Sequence, residues 1–180
     1  MKKEEWLIAG TAGAIAATVA FLLWPKKDIP KGATVVQPFD ISRYLGKWHE
    51  IARLPNKVEQ NIRALTEKYT MRDDGMISVV TRGFDMQKKR WVKAAGKLKL
   101  AAHENLGKLK VSYFGPFYFA YNILDVDEDY QYALASGSDL DSLWLLSRET
   151  TMPEVIRERF IRHARAIGFD TNKLEWPAMV

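Results

Sequence analysis

The sequence predicts an all-β fold: an eight-stranded up-and-down antiparallel barrel with one C-terminal α-helix packed outside, preceded by an N-terminal transmembrane helix. Three observations predict it: apolar and polar residues alternate after Phe39, turn residues separate the alternating stretches, and one long apolar run lies near the N-terminus. The 180 residues suit one domain with an appendage. We expect a membrane anchor over residues 1–25, a linker over 26–38 and the barrel domain over 39–180.

The N-terminal run covers residues 6–24, is uncharged, and begins and ends with tryptophan. A helix rises about 1.5 Å per residue, so this run nearly spans a hydrocarbon core of ~30 Å, and indole rings favour its interfaces. A signal peptidase requires small residues just after the apolar run. In this chain the small residues lie inside the run instead. We therefore expect an uncleaved anchor, with a removed signal peptide as the alternative.

Eight predicted strands follow, and turn residues separate them. Asp73-Asp74-Gly75 and Gly115-Pro116 are the strongest turn signals. Short strands in this number with hairpin-length links are typical of a closed meander, which holds one small ligand. The predicted strands are Trp48–Leu54, Thr66–Arg72, Met76–Phe84, Arg90–Leu100, Gly107–Phe114, Phe117–Val126, Tyr130–Ser136 and Ser142–Ser147.

One helix is predicted after the last strand. Thr151 and Glu154 have the spacing of a capping box, Pro153 suits a first turn, and Gly168 supplies a stop. Leu143–Leu146, just before, is apolar on both faces, as a strand between a barrel interior and a helix would be. The apolar stripe that we expect to pack on the barrel comprises Ile156, Phe160, Ala164 and Ile167.

Three motifs, in this order, resemble those of the lipocalin family. Gly46-Lys47-Trp48 resembles the G-x-W motif of the first strand, Asp127 to Tyr130 resembles the motif between strands six and seven, and Arg148 resembles the third. Residues 48–53, 69–75 and 111–118 further resemble the bacterial outer-membrane branch, which is related to apolipoprotein D and plant temperature-induced lipocalins. The resemblance covers about Phe39 to Trp176 and implies a lipocalin calyx.

The resemblance implies structural roles for Gly46, Trp48, Asp127, Tyr130 and Arg148. In the family the tryptophan closes the barrel base and an arginine lies across it, so we expect Arg148 on the ring face of Trp48. Such a cation–π contact is worth about 1–2 kcal/mol when it is desolvated. These residues hold the fold together and need not touch a ligand.

Strand parity predicts which side chains face the barrel interior. Glu50 shares parity with Trp48, and Trp144 and Leu146 share parity with Arg148. We expect a cavity lined by Glu50, Phe117, Phe119, Tyr121, Trp144 and Leu146. Such a lining suits an acyl chain, with a few polar groups that fix its orientation. The alternative is that these side chains fill the barrel.

Composition and motifs speak against several other classes of protein. The absence of cysteine excludes disulfides and thiolate zinc sites, and the net charge of +5 is too spread out for a nucleic-acid groove. His49, His103 and His163 lack the spacing of a helical metal site. An EF-hand-like start at Asp125 fails because Tyr130 and Ser136 replace the required Gly and Glu. We expect no cofactor, no metal, no nucleic acid and no enzymatic activity.

The resemblance implies a protein that holds or transports fatty acids or lysophospholipids at the bacterial cell envelope under stress, with a homodimer as a further expectation. An enzyme acting on a lipid through Glu50 and the tyrosines, and an interaction protein with a filled barrel, are the alternatives. Close bacterial relatives carry a lipidated cysteine that this chain lacks. We therefore expect an anchored barrel on the periplasmic side of the inner membrane, not the outer one.

Overall fold

Eight antiparallel strands form a closed barrel in chain order, as predicted. The computed structural model describes residues 28–57, 59–101 and 105–177. The strands are β1 (Gly46–Arg53), β2 (Ile62–Met71), β3 (Ile77–Asp85), β4 (Arg90–Leu100), β5 (Lys108–Phe114), β6 (Phe117–Val126), β7 (Tyr132–Ser136) and β8 (Leu143–Ser147). The barrel has a base, where β1 begins, and a mouth, where β1 ends.

The second strand begins at Ile62, well before the predicted Thr66. The register between β2 and β3 shifts between Arg63 and Thr66, and Ala64 has a positive φ of 49°. A bulge of this kind breaks the alternation of apolar and polar residues, so the alternation reveals only the part of β2 that follows the bulge.

Within the described residues two α-helices accompany the barrel: α1 (Ile41–Tyr44) near the base and α2 (Glu154–Ile167) on the outside, and a short 3-10 helix follows at Thr171–Lys173. As predicted, α2 buries Phe160 and Ala164 against the outer face of β8, where Leu143 and Leu145 contact it. Gly168 ends α2 with a φ of 115°, and its N–H reaches the carbonyl of Ala164.

The capping box predicted for Thr151 and Glu154 is wrong. Pro153 has a φ of −56° and a ψ of 143°, so the helix begins only at Glu154 and no side chain caps it. The backbone carbonyl of Thr151 instead accepts a hydrogen bond of 2.8 Å from Ser147 Oγ.

The base of the barrel is closed by Arg148 and Trp48. The guanidinium carbon of Arg148 lies 3.8 Å from the centroid of the buried Trp48 ring. The same guanidinium donates hydrogen bonds to the carbonyls of Lys47 at 2.9 Å, Arg43 at 2.7 Å and Tyr130 at 3.1 Å. One side chain thereby ties β1, α1 and the β6–β7 turn together.

The remaining motif residues shape the backbone around this closure. Gly46 has a φ of 98°, and a Cβ there would lie 3.2 Å from the Arg148 guanidinium. Asp127 accepts hydrogen bonds from the N–H groups of Gln131 at 2.7 Å and Tyr132 at 2.6 Å. The Tyr130 hydroxyl accepts one of 2.9 Å from the N–H of Asp40, which precedes α1.

Residues 28–38, predicted as linker, run along the barrel. The N–H of Val36 donates to the carbonyl of Ile123 at 2.9 Å, and the Asn122 side chain donates to the carbonyl of Asp28 at 2.7 Å. The Asp28 carboxylate also pairs with Lys108 and Lys110. These contacts make residues 28–38 part of the domain and not a free linker.

In the part of the chain that the structure describes, neither helix combines the length and apolar character that crossing a bilayer requires. The predicted anchor, residues 6–24, lies outside the described residues.

We expect Arg148→Met to destabilise the protein by about 2–4 kcal/mol, because it removes the cation–π contact and three charge-assisted hydrogen bonds. Urea unfolding followed by tryptophan fluorescence measures the change. The control is Arg162→Met on the exposed face of α2, which should change stability by less than about 0.5 kcal/mol. Equal stability of the two variants would contradict the role given to Arg148.

Candidate ligand-binding site

The barrel interior is close-packed at the base. The side chains that fill it are fully buried: Trp48, Val79, Leu98, Leu109 and Ile123. Tyr44 of α1 lies under them, with its ring stacked 4.8 Å from that of Trp48. The base therefore has no room left for a ligand among these side chains.

The interior wall near the mouth stays accessible. Ala94 shares the interior face of β4 with the buried Leu98, yet Ala94 is exposed. Val111 and Tyr113, which face the interior from β5, are half-buried. The upper half of the barrel thus presents a wall that a ligand can reach through the mouth.

Phe117 and Phe119 do not line an enclosed cavity, contrary to the prediction. They share a face of β6 with the buried Tyr121, but they are 68% and 60% exposed. The pairing of β6 with β7 ends at Asn122 and Ser136, so both phenylalanines rise above the neighbouring strand. Parity predicts which face of the strand a side chain occupies, but it does not predict how far along the barrel axis that side chain lies. With Phe114, which is 76% exposed, these side chains form an aromatic rim at the mouth.

The other predicted aromatic residues, Tyr121 and Trp144, lie inside the barrel. Their ring centroids are 6.2 Å apart. Trp144 is half-buried, and its indole N–H donates to Glu59 Oε2 at 3.3 Å. Leu146 is buried in the packed core opposite Glu50, deeper than the accessible wall.

Glu50 faces the interior as its parity predicts, and it is 2% exposed. A bulge between Glu50 and Ala52 reverses the alternation, so Arg53 also faces inward, next to Trp144. Arg53 donates to the Glu50 carboxylate, to the Glu59 carbonyl at 2.6 Å and to the Ile62 carbonyl at 3.1 Å. Sequence reasoning missed Arg53 because alternation assigns the interior to Ala52, which instead packs under α2.

Glu67 is the second interior carboxylate, and sequence reasoning missed it. It lies opposite Trp48 in the register of β1 and β2. Its carboxylate accepts hydrogen bonds from the Tyr69 hydroxyl, from Tyr113 at 3.2 Å and from Thr81 at 3.4 Å. Glu67 shares parity with Tyr69 in the predicted strand, and this parity could have placed Glu67 on the interior face.

A chain of tyrosine hydroxyls joins Glu67 to the floor of the barrel. The Tyr69 hydroxyl lies 3.2 Å from that of Tyr121, which lies 2.8 Å from that of Tyr44. Burial raises the pKa of all three hydroxyls, so they remain neutral donors and acceptors.

Burial also raises the pKa of both interior carboxyl groups. The pKa of Glu50 rises to about 8, because burial and the nearby Glu59 outweigh the opposing effect of Arg53. The pKa of Glu67 is raised by burial against the hydrogen bond from Tyr69. The interior therefore holds carboxyl groups that gain a charge only at a free-energy cost.

The histidines lie elsewhere or outside the described residues. His163 is on α2, with Nδ1 3.2 Å from Asp125 Oδ2, and His49 points away from the interior face that Trp48 occupies. His103 lies outside the described residues. Over residues 28–57, 59–101 and 105–177, no group of histidine and acidic side chains is arranged to hold a metal ion.

Comparison with known proteins identifies the family. The family model for a lipocalin-like domain matches residues 39–179. The chain belongs to the lipocalin family. Outer membrane lipoprotein Blc of Citrobacter freundii is 41% identical over 163 residues, which cover 89% of this chain and 92% of that protein. The solved structure of insecticyanin from the tobacco hornworm Manduca sexta is 21% identical and superposes with a TM-score of 0.68 over 85% of this chain and 90% of its own, which shows a similar fold.

The names of the relatives correct the prediction of which membrane holds the protein. A second relative, outer membrane lipoprotein Blc of Vibrio cholerae, is 42% identical over 147 residues, or 81% of this chain and 86% of that protein. Both bacterial relatives are named for the outer membrane, which confirms the resemblance to that branch. The expectation of an inner-membrane location, which rested on the missing cysteine and on the uncleaved apolar run, is wrong, because these relatives are outer-membrane proteins by name.

We expect the stability of the wild type to fall as the pH rises from about 4.5 to about 8, and we expect this fall to be smaller in Glu50→Gln. Because the folded protein keeps the Glu50 proton after the unfolded chain has released it, wild-type stability falls as pH rises through this window, by up to about 1.4 kcal/mol per pH unit. Unfolding by urea at several pH values measures the slope.

The control for this measurement is Glu158→Gln on the exposed face of α2, which should keep the wild-type slope. A wild-type slope in Glu50→Gln would contradict the raised pKa of Glu50.

Proposed function

We propose that this lipocalin binds a long-chain lipid, a fatty acid or a lysophospholipid, in the upper half of its barrel. The observation that supports this most is the contrast along the interior, which is close-packed at the base and accessible near the mouth. A barrel filled by its own side chains would be packed along its whole length. The accessible wall combines aliphatic and aromatic groups, including Val111, Tyr113 and Trp144.

The driving force is the transfer of an alkyl chain out of water. Each buried methylene contributes about 0.8 kcal/mol, so a chain of about twelve carbons gains enough to reach micromolar affinity after the cost of association. The closed base prevents the chain from passing through the barrel. Entry and release therefore both use the mouth.

The physiological role that we propose is to hold or carry such lipids at the cell envelope, with the apolar run of residues 6–24 as a tether to the membrane. The relatives named as outer membrane lipoproteins support an envelope role. We propose binding and not catalysis, since Glu67 is engaged by three hydroxyls and Glu50 by Arg53.

The exposed aromatic rim favours a second candidate function, contact with a protein partner. Phe114 and Phe117 pair across the β5–β6 hairpin, and both are mostly exposed. A second copy of this chain is one partner that would cover them, so the homodimer stays a prediction. Size-exclusion chromatography with light scattering, compared between wild type and Phe117→Ser, tests it.

We expect Ala94→Trp to weaken binding of a fluorescent fatty acid by about tenfold or more, because an indole on the interior wall occupies the space of the alkyl chain. Ala95→Trp is the matched control: it adds the same side chain to the neighbouring exposed position, on the outer face of β4. Titration of the full chain in a neutral amphipathic polymer measures both affinities. Equal affinity in the two variants, or no uptake by the wild type, would contradict binding in the barrel.

A further inference from the structure

The outer face of β3, β4 and β5 carries positive charge only. Its side chains alternate with those of Leu98 and Leu109, which pack inside the barrel. Paired strands lie about 4.8 Å apart, so the sheet brings together cations that the sequence spreads over three segments. The structure describes all three strands, and none of their acidic residues shares this face. The basic face, as we call it, comprises Arg82, Lys93, Lys97, Lys99, Lys108 and Lys110.

Most of these charges lack a counter-charge. Among the described residues, the one acid that pairs with the basic face is Asp28, whose carboxylate lies 3.4 Å from Lys108 Nζ and 3.2 Å from Lys110 Nζ. The six cations and this one acid give a net charge of +5, which equals the formal net charge of the whole chain. The remaining positive and negative side chains therefore balance, and the excess charge of the protein lies on one face.

Two aromatic side chains lie among the cations. Trp91, on the same face of β4, is 45% exposed, and the Arg82 guanidinium carbon lies 4.5 Å from its ring centroid. The Lys99 Nζ atom lies 4.2 Å from the ring centroid of Tyr118 on β6. Indole and phenol rings favour the headgroup region of a bilayer, and lysine and arginine are attracted to its anionic lipids. This combination of side chains fits a membrane surface.

The proposed tether brings the basic face close to a bilayer. Three residues, 25–27, separate the apolar run from Asp28. An extended chain advances at most about 3.6 Å per residue, so Asp28 lies within about 14 Å of the end of that run. Because Asp28 pairs with Lys108 and Lys110, the edge of the basic face is equally close to the membrane.

We propose that the basic face lies on a bilayer surface with anionic headgroups, so that the outer wall of the barrel as well as the tether holds the domain to the membrane. This inference rests on the tether of the proposed function and goes beyond it, because a tether limits the distance and leaves the orientation free. Screening restricts the attraction to about 8 Å at physiological ionic strength, and the short connection to Asp28 lets the cations come within that range.

The test measures which side of the barrel contacts the headgroups. Because the chain has no cysteine, one introduced thiol can carry a fluorescent label. Ala95→Cys places the label at an exposed position in the middle of the basic face. Glu158→Cys is the matched control: it places the same label at an exposed position on α2, which packs on β8, four strands away from β4 in the closed barrel.

The full chain is reconstituted in phosphatidylcholine vesicles that contain about one third phosphatidylglycerol and a phosphatidylcholine with a nitroxide on its headgroup. We expect the nitroxide to quench the label at position 95 about threefold or more strongly than the label at position 158. In pure phosphatidylcholine vesicles, and in anionic vesicles at about 0.5 M salt, this excess quenching should disappear, because the attraction is electrostatic.

Charge reversal tests the residues themselves. We expect Lys97→Glu combined with Lys99→Glu to abolish the excess quenching at position 95, since each basic residue near an anionic surface contributes about fivefold to the attraction. Arg157→Glu combined with Arg162→Glu makes the same change of charge on α2 and should leave the excess quenching in place. The comparisons of lipid and salt decide the question if a reversed variant does not fold.

Equal quenching of the two labels in anionic vesicles would overturn the inference, as would excess quenching that persists in pure phosphatidylcholine. An unquenched label at position 95 whose fluorescence responds to a single-stranded oligonucleotide would assign the face to a nucleic acid and also overturn it. Flotation with pure phosphatidylcholine vesicles distinguishes these failures from that of the tether. If the protein floats, only the inference falls; if it does not, the tether falls with it.

Discussion

The guanidinium of Arg148 lies across the Trp48 ring and donates to three backbone carbonyls, so one side chain seals the base of the barrel. A barrel open at both ends would admit water along its length. With the base closed, the interior side chains are shielded from water on that side, and burial raises the pKa of Glu67 and of the tyrosine hydroxyls. The chemistry of the cavity thus depends on a contact at the base, below the accessible wall.

The interior carboxyl groups oppose stability. Apolar side chains of similar size would pack against Trp48 and Leu146 at a lower cost than Glu67 and Glu50, because buried charges lose their hydration. Residues whose pKa is shifted by burial next to accessible space are candidates for functional sites. The hydroxyls around Glu67 and the guanidinium beside Glu50 reduce the cost without removing it.

The sequence predicted the barrel well because its strands are short, alternate cleanly and end at recognisable turns. It failed where the backbone leaves regular geometry: the bulge after Glu50 turns Arg53 inward, and the bulge at Ala64 hides the start of β2. Parity placed Phe119 on the correct face of β6, but only the register with β7 shows that it lies above the wall. Alternation along β2 could have identified Glu67 as an interior residue, whereas the contacts of Arg53 could be found only in the structure.

A crystal structure of the full chain with a twelve-carbon alkyl ligand that carries bromine at its chain end would locate the ligand most directly, through the anomalous signal of bromine. Binding inside the upper half of the barrel predicts one bromine between the accessible wall near Ala94 and the rim at Phe119. A bromine found only on the outer surface, such as beside Trp91 or Trp176, would contradict it.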